Sequence, residues 1–126
     1  MQRDTPRQRT WGNKFGCALR GIRHAMQCDA TFRVHLVAAA AVIVAGLLLR
    51  VNFYEWCALL LCISAVLVAE LFNTALEHLA RATTERHDQR VCDALDISSG
   101  AVLLTAIAAA VVGGIVLAQR LAAVSG

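Results

Sequence analysis

Glu70-Leu71-Phe72-Asn73-Thr74-Ala75-Leu76-Glu77-His78 closes a run that carries no charge from Trp56 to Ala69. A charged residue at the centre of a membrane helix costs roughly 2.5–3.5 kcal/mol on insertion scales. Two carboxylates at the end of such a run therefore need a reason. On a helix, at about 100° per residue, Glu70, Asn73 and Glu77 share one face, and Glu70 and Glu77 stand about 10 Å apart along the axis. That spacing forbids a tight pair between those two acids and leaves one for each end of a reaction. A single buried acid can simply hydrogen-bond inside a helix bundle; an acid-amide-acid stripe argues instead for a site.

Outward from this stretch, two more apolar runs follow the same logic. Leu36 to Leu49 is uncharged, and with Val34 and His35 it is still short of the roughly 20 residues a spanning helix needs, so Phe32 and the stems of Arg33 and Arg50 must fill the interface. Ile97 to Gln119 is uncharged throughout. Its Ser98, Ser99, Gly100, Ala101 and Thr105 give a small-residue face suited to close helix packing, and Gly113-Gly114 reads as a second point of close approach. Before the first run, Phe15, Ala18, Leu19, Ile22, Ala25 and Met26 recur at spacings of three and four, the pattern of an amphipathic helix. No strand alternation and no internal repeat is present. The reading is an all-α membrane protein of one domain, 1–126. It has a disordered basic arm at 1–11, an amphipathic surface helix at 12–30, spans at 32–50, 55–80 and 97–120, and a cytoplasmic loop at 81–96.

Composition supports a membrane class, with 58% hydrophobic residues in a chain of 126. The net charge of +3 is uneven: residues 1–35 hold Arg3, Arg7, Arg9, Lys14, Arg20, Arg23 and Arg33 against Asp4 and Asp29. Together with Arg81, Arg86 and Arg90, these residues place the N-terminus and the 81–96 loop on the cytoplasmic side of three spans. A basic arm beside an apolar run fits a membrane surface better than nucleic acid, so no nucleic acid partner is expected. Five cysteines, an odd number with no C-x-x-C pair, read as small buried apolar residues and exclude a zinc site or disulfide framework. The first thirty residues lack the apolar core of a signal peptide.

On the inner side, three polar elements would meet: the surface helix, the loop and the Glu77 end of the second span. Asp29 and Glu77 could share a Mg²⁺ ion whose other ligands are waters and phosphate oxygens. Arg86, His87 and Arg90 could bind phosphate charge. Glu70 lies deeper, where it could accept the proton of a lipid hydroxyl, with Asn73 orienting either partner. The assembled chemistry is phosphoryl transfer from a magnesium-bound nucleotide to a lipid alcohol, a reaction carried by positioning and charge neutralisation. Lys14 is the sole lysine and no G-x-x-x-x-G-K-[ST] loop exists, which excludes P-loop and protein-kinase machinery. A non-enzymatic bundle, such as a small transporter with Glu70 on a proton path, is the competing reading.

At these residues the chain resembles the small bacterial integral-membrane lipid kinases, the prokaryotic diacylglycerol kinase and undecaprenol kinase family. Glu70 to Glu77 matches the family's E-x-x-N-[ST]-A-[IL]-E. Gly21-Ile22-Arg23 and Phe32-Arg33 support it upstream, and Asp96 with Ser98 to Ala101 matches D-x-x-[SA]-[AG]-A at the start of the last helix. The resemblance implies a homotrimer of three-span chains in the bacterial inner membrane, with active sites shared between protomers. It implies ATP as phosphoryl donor, Mg²⁺ as cofactor, and diacylglycerol or undecaprenol as acceptor. By position, Glu70 would be the general base, with Asn73 beside it. Asp29 and Glu77 would hold metal and nucleotide. Arg86, His87, Asp88 and Asp96 would contact nucleotide, as would Arg9 or Thr10 and Cys17 near the N-terminus. Arg23, Phe32 and Arg33, with Glu70, would meet the lipid. The chain departs from the family where Asp29 replaces a usual Glu, one methylene shorter, where Leu95 stands in place of a usual lysine, and where Arg81 stands in place of a common Asp. The missing lysine raises the alternative of a weak pseudokinase or regulatory subunit, unless Arg86 or Arg90 supplies the charge.

Overall fold

The computed structural model describes residues 10–83 and 85–126. The arm expected at 1–11 lies outside the described residues except for its last two, and so does Arg9. Among the described residues the chain is all helical: α1 Trp11–Cys28, α2 Ala30–Leu48, α3 Phe53–Thr83 and α4 Gln89–Ser125. Three of them, α2, α3 and α4, are long and apolar enough to cross a membrane. At 1.5 Å per residue, the 19 residues of α2 reach about 28 Å, close to a hydrocarbon core of roughly 30 Å.

A single residue separates α1 from α2. Asp29 is extended (φ −113°, ψ 108°), ends α1 and caps α2, its Oδ1 accepting from the Thr31 amide at 2.9 Å. Such a cap satisfies an amide that the first helical turn leaves without a partner. Arg33 Nη1 reaches back to donate to the Met26 and Gln27 carbonyls, 3.0 Å each, closing the end of α1. The α1–α2 corner is thus fixed from both sides.

The α2–α3 turn is equally defined. The Val51 amide donates to the Gly46 carbonyl and the Arg50 amide to that of Leu47, with Arg50 in the left-handed region at φ 53°. This is the Schellman ending, here with arginine where glycine is usual. Asn52 and Glu55 then exchange side-chain and backbone hydrogen bonds at 3.0 and 2.9 Å, a reciprocal cap that starts α3.

The polar connection is shorter than the loop expected at 81–96. Helix α3 continues to Thr83 and α4 begins at Gln89, behind an Asp88 cap whose Oδ1 accepts from the Arg90 amide at 2.9 Å. Ala82 and Arg81 favour helix as strongly as the apolar residues before them, and so do Gln89 and Arg90 in α4. Charge ends the apolar part of these helices without ending the helices.

The three long helices pack through Val51, Leu59 and Val116, flanked by Val42, Trp56 and Val112. The close approach is at Gly46, where a Cβ would lie 2.8 Å from Trp56 Cη2. Gly113 and Gly114 do not provide it: a Cβ at Gly113 would meet only Leu59 at 4.0 Å, and Gly114 faces open space. Large apolar side chains on the outer faces, such as Val37, Leu61, Leu104 and Ile107, are exposed, as lipid-facing or helix-facing residues must be in a single chain. No cysteine is in a disulfide among the described residues; none is buried, contrary to the expectation, and Cys28 and Cys57 are exposed. Cysteines on the outside of an apolar helix keep the small apolar character argued from sequence while facing outward.

Candidate active site

The acid stripe of α3 faces inward at the end of its uncharged run. Glu70 is only 2% exposed, and Asn73 and Thr74 are buried with it. The α1–α2 corner docks here: Thr74 Oγ1 donates to Asp29 Oδ2 at 2.5 Å, and the Asp29 and Glu70 carboxyl groups lie within hydrogen-bonding range of each other. Burial works against the charge on Asp29, but hydrogen bonds from Thr74 and from the Phe32 and Thr31 amides outweigh it, and its carboxyl is held below the usual aspartate range.

One turn along α3, Asn73 ties two helices together. Its Nδ2 donates to Glu77 Oε1 at 3.0 Å, and its Oδ1 accepts from Ser98 Oγ on α4. His35 on α2 completes the ring from the other side, with Nε2 3.8 Å from Glu70 Oε2. That oxygen is buried and has no hydrogen-bond partner. It is the one unsatisfied buried side-chain polar atom among the described residues, and such an atom asks for a ligand, a water or an ion.

The structure therefore brings Asp29, Glu70, Asn73 and Glu77 into one neighbourhood, with Asp29 meeting α3 at Glu70 and Thr74. Other sequence-predicted residues lie elsewhere. Arg86, His87 and Asp88 are exposed in the connection after α3, and Asp88 is occupied in capping α4. His87 Nδ1 lies 3.7 Å from Cys92 Sγ. Asp96 is exposed, just outside Ser98 on α4. Among the described residues no hydrogen bond or ion pair joins these four side chains to Asp29, Glu70, Asn73 or Glu77. Arg23 is exposed on α1. Phe32 is 2% exposed, a packing anchor rather than an open surface, and Arg33 is engaged on the α1 carbonyls. Thr10 serves as the α1 cap.

Thr74 and Ser98 have no site role in the sequence reading. The spacing from Glu70 to Thr74, one helical turn, was the available signal for the first. Ser98 was read as a small packing residue, and it both packs and hydrogen-bonds. A further contact couples α1 to α3: the His24 and His78 rings stand 5.2 Å apart. They border an open groove of ≈ 840 Å³ that runs between α1 and α3 past Thr74.

For Mg²⁺, the donors present are of the right kind: carboxylate oxygens of Asp29 and Glu77, hard ligands for a hard cation. No ready-made cluster of three or more His, Cys, Asp or Glu side chains is arranged for a metal among the described residues. An ion here would need further oxygens, and nucleotide phosphates are such a source.

A carboxyl pair, an amide and two hydroxyls, sunk into one end of a bundle whose three long helices can each cross a bilayer, define a class: a small membrane protein with an acid-lined site where its apolar helices turn polar. The particular family follows from comparison. Residues 16–117 match the profile of the prokaryotic diacylglycerol kinases, and the chain belongs to that family. Over 102 residues it is 31% identical to the undecaprenol kinase of Bacillus subtilis, a match covering 81% of this chain and 83% of that one. Over 104 residues it is 38% identical to the diacylglycerol kinase of Synechocystis sp., covering 82% of this chain but 59% of the relative. The resemblance drawn from Glu70 to Glu77 is borne out, and the chain is a membrane lipid kinase by family.

Proposed function

We propose that the chain transfers the γ-phosphoryl group of ATP to the hydroxyl of a membrane lipid, diacylglycerol or undecaprenol, at the inner leaflet of the bacterial cytoplasmic membrane. The observation that carries this reading is Glu70: a buried carboxyl with one oxygen unpartnered, at the end of an apolar helix. A lipid hydroxyl there gives its proton to Glu70 as its oxygen attacks the γ-phosphorus, and the bond to the β-phosphate oxygen breaks to release ADP. Asn73, held between Glu77 and Ser98, keeps the face of α3 in register with α4. Asp29 and Glu77 would hold Mg²⁺, which would supply charge neutralisation when bound with the nucleotide. Arg86, His87, Asp88 and Asp96 meet the nucleotide from the polar side, and Arg86 or Arg90 stands in for the cation that Leu95 does not provide.

Two features support a wider arrangement. Trp11, Phe15, Leu19, Ile22 and Met26 form an exposed apolar stripe along α1, which lies in the headgroup plane on the cytoplasmic side, with the N-terminus inside. Arg86, His87 and Asp88 stand away from the carboxyl cluster within one chain, which fits a homotrimer whose sites draw on neighbouring protomers.

The test is a kinase assay on the full chain in mixed micelles with Mg-ATP, offering diacylglycerol and undecaprenol in parallel. Phosphorylation of a lipid that disappears with Glu70→Gln is expected. Equal turnover by that variant would remove the proposed base, and ion flux in liposomes without nucleotide would point to the transporter reading.

A further inference from the structure

Hydroxyl-bearing side chains stand behind both acids that would hold Mg²⁺. Thr74 Oγ1 donates to Asp29 Oδ2 directly. Ser98, on α4, reaches Glu77 through Asn73: Ser98 Oγ donates to Asn73 Oδ1, and Asn73 Nδ2 donates to Glu77 Oε1 at 3.0 Å. Asn73 is 8% exposed and Ser98 9%, so little water reaches either group. Ser98 has one proton and two acceptors in reach, Asn73 Oδ1 and, at 3.2 Å, the Leu95 carbonyl; the first is the nearer. The neighbouring Ser99 hydroxyl lies 3.5 Å from the same Asn73 oxygen but 3.0 Å from the Leu95 carbonyl, so it serves its own helix.

These hydrogen bonds run in one direction only. An ionised carboxylate accepts and cannot donate, so Asn73 must turn its amide nitrogen to Glu77 and its oxygen to α4. That buried oxygen then needs a donor, and Ser98 brings one at close range. With both ends of the amide engaged, Glu77 Oε1 is held in place. Among the described residues Glu77 Oε2 accepts no hydrogen bond. One oxygen is tied and the other is open, the condition of a carboxylate prepared to take a cation at a single oxygen.

We infer that Ser98 is a positioning residue for the metal site: through Asn73 it sets which Glu77 oxygen faces a divalent cation, so that α4 tunes the affinity of a site whose acids lie outside α4. The inference rests on the reading of Asp29 and Glu77 as Mg²⁺ ligands and deepens it. Groups that hydrogen-bond a metal ligand orient it, and their loss typically costs about 10–100-fold in affinity or activity. An alanine at position 98 would pack against α3 as closely as serine does, but it would leave the Asn73 oxygen buried without its donor and the Asn73–Glu77 pair free to turn.

Mn²⁺ serves as the probe. Its binding to the full chain in micelles is followed by loss of the free-ion electron paramagnetic resonance signal, both without nucleotide and with a non-hydrolysable ATP analogue. Ser98→Ala should weaken Mn²⁺ binding about tenfold, and Ser98→Thr, which keeps the hydroxyl, should recover most of the loss. Ser99→Ala should bind as the unaltered chain does. In a Glu77→Gln background Ser98→Ala should cost nothing further, because the carboxylate it positions is gone. In the Mg-ATP assay the Mg²⁺ concentration for half activity should rise about tenfold in Ser98→Ala, with turnover at saturating Mg²⁺ reduced far less. A merely structural serine lowers the unfolding temperature and leaves Mn²⁺ affinity alone. That outcome, an equal loss with and without Glu77, or no Mn²⁺ binding by the unaltered chain in either condition overturns the proposal. Weaker binding in Glu77→Gln but not in Ser98→Ala removes only the role of Ser98, whereas unchanged binding in Glu77→Gln removes the metal-ligand reading beneath it. If neither lipid is phosphorylated the kinase reading fails, and the Mn²⁺ titrations still decide what Ser98 does.

Discussion

The bundle has an acid at each end of its apolar part, and the two are treated differently. At one end, Glu55 Oε2 accepts from Arg120 Nε at 2.7 Å and from the Asn52 amide at 3.0 Å, so the last turns of α4 are pinned to the start of α3. At the other, Glu70 is more deeply buried than Glu55, is pressed against another carboxyl, and keeps an oxygen without a partner. An acid whose oxygen is fully employed within the chain holds helices together. An acid left with unused acceptor capacity, in a place that makes the vacancy expensive, is kept for something outside the chain.

The widest separation between the ends should appear in turnover. Glu70→Gln is expected to lower lipid phosphorylation by about 10²–10⁴, the usual worth of a positioned base, with no loss of thermal stability, because one of two opposed carboxyls is removed. Glu55→Gln should leave turnover near wild type. If the two substitutions cost the same activity, the difference drawn between the ends is wrong. Thr74→Val comes next. It keeps the shape of the side chain but removes the donor to Asp29 Oδ2. Loss of a hydrogen bond to a charged group, partly made good by water, should reduce turnover about tenfold and raise the Mg²⁺ concentration needed for half activity. An unchanged magnesium requirement would argue that Asp29 works only as a helix cap.

Sequence reasoning reached one end of this comparison better than the other. The stripe of Glu70, Asn73 and Glu77 was legible because helical period alone puts those residues on one face, and the spans were legible because long uncharged runs have few other uses. The destination of Asp29 was not, since a residue that breaks two helices can dock in many places, and only packing of α1 on α3 puts it at Thr74. Gly46 gave no signal among the alanines, valines and leucines around it; its importance comes from Trp56, ten residues away across a turn. The Gly113-Gly114 pair gave a signal that no helix of the same chain answers closely, with only Leu59 reaching Gly113, at 4.0 Å. The pairing of Glu55 with Arg120 joins residues far apart in sequence, and nothing local to either suggests it.

Acid should also separate the ends. Asp29 is held below the ordinary aspartate pKa of about 3.9. Its contact with α3 is therefore at full strength above that ordinary value and is lost as the pH falls through the lowered one, because only then does the folded chain take up the proton. Amide exchange in α1, corrected for the intrinsic rate, should stay slow through mildly acidic conditions and rise only below that point. Loosening of α1 near neutral pH would show that the corner is not held by the Asp29 carboxylate.

The smallest effect belongs to Arg120→Ala. The Arg120–Glu55 pair is half-buried and close, but its loss leaves Glu55 still hydrogen-bonded to the Asn52 amide and Asn52 still accepting from the Glu55 amide. The start of α3 keeps its reciprocal cap, and only the tie to α4 is broken. A small drop in the thermal unfolding temperature in micelles is expected, as for accessible ion pairs generally, with turnover unchanged. The pairing predicts one thing more. Glu55→Gln and Arg120→Ala together should cost little beyond the larger single effect, since each alone already breaks the same contact. A double variant whose loss equals the sum would mean that the two side chains act separately, and that this end is held by something other than their ion pair.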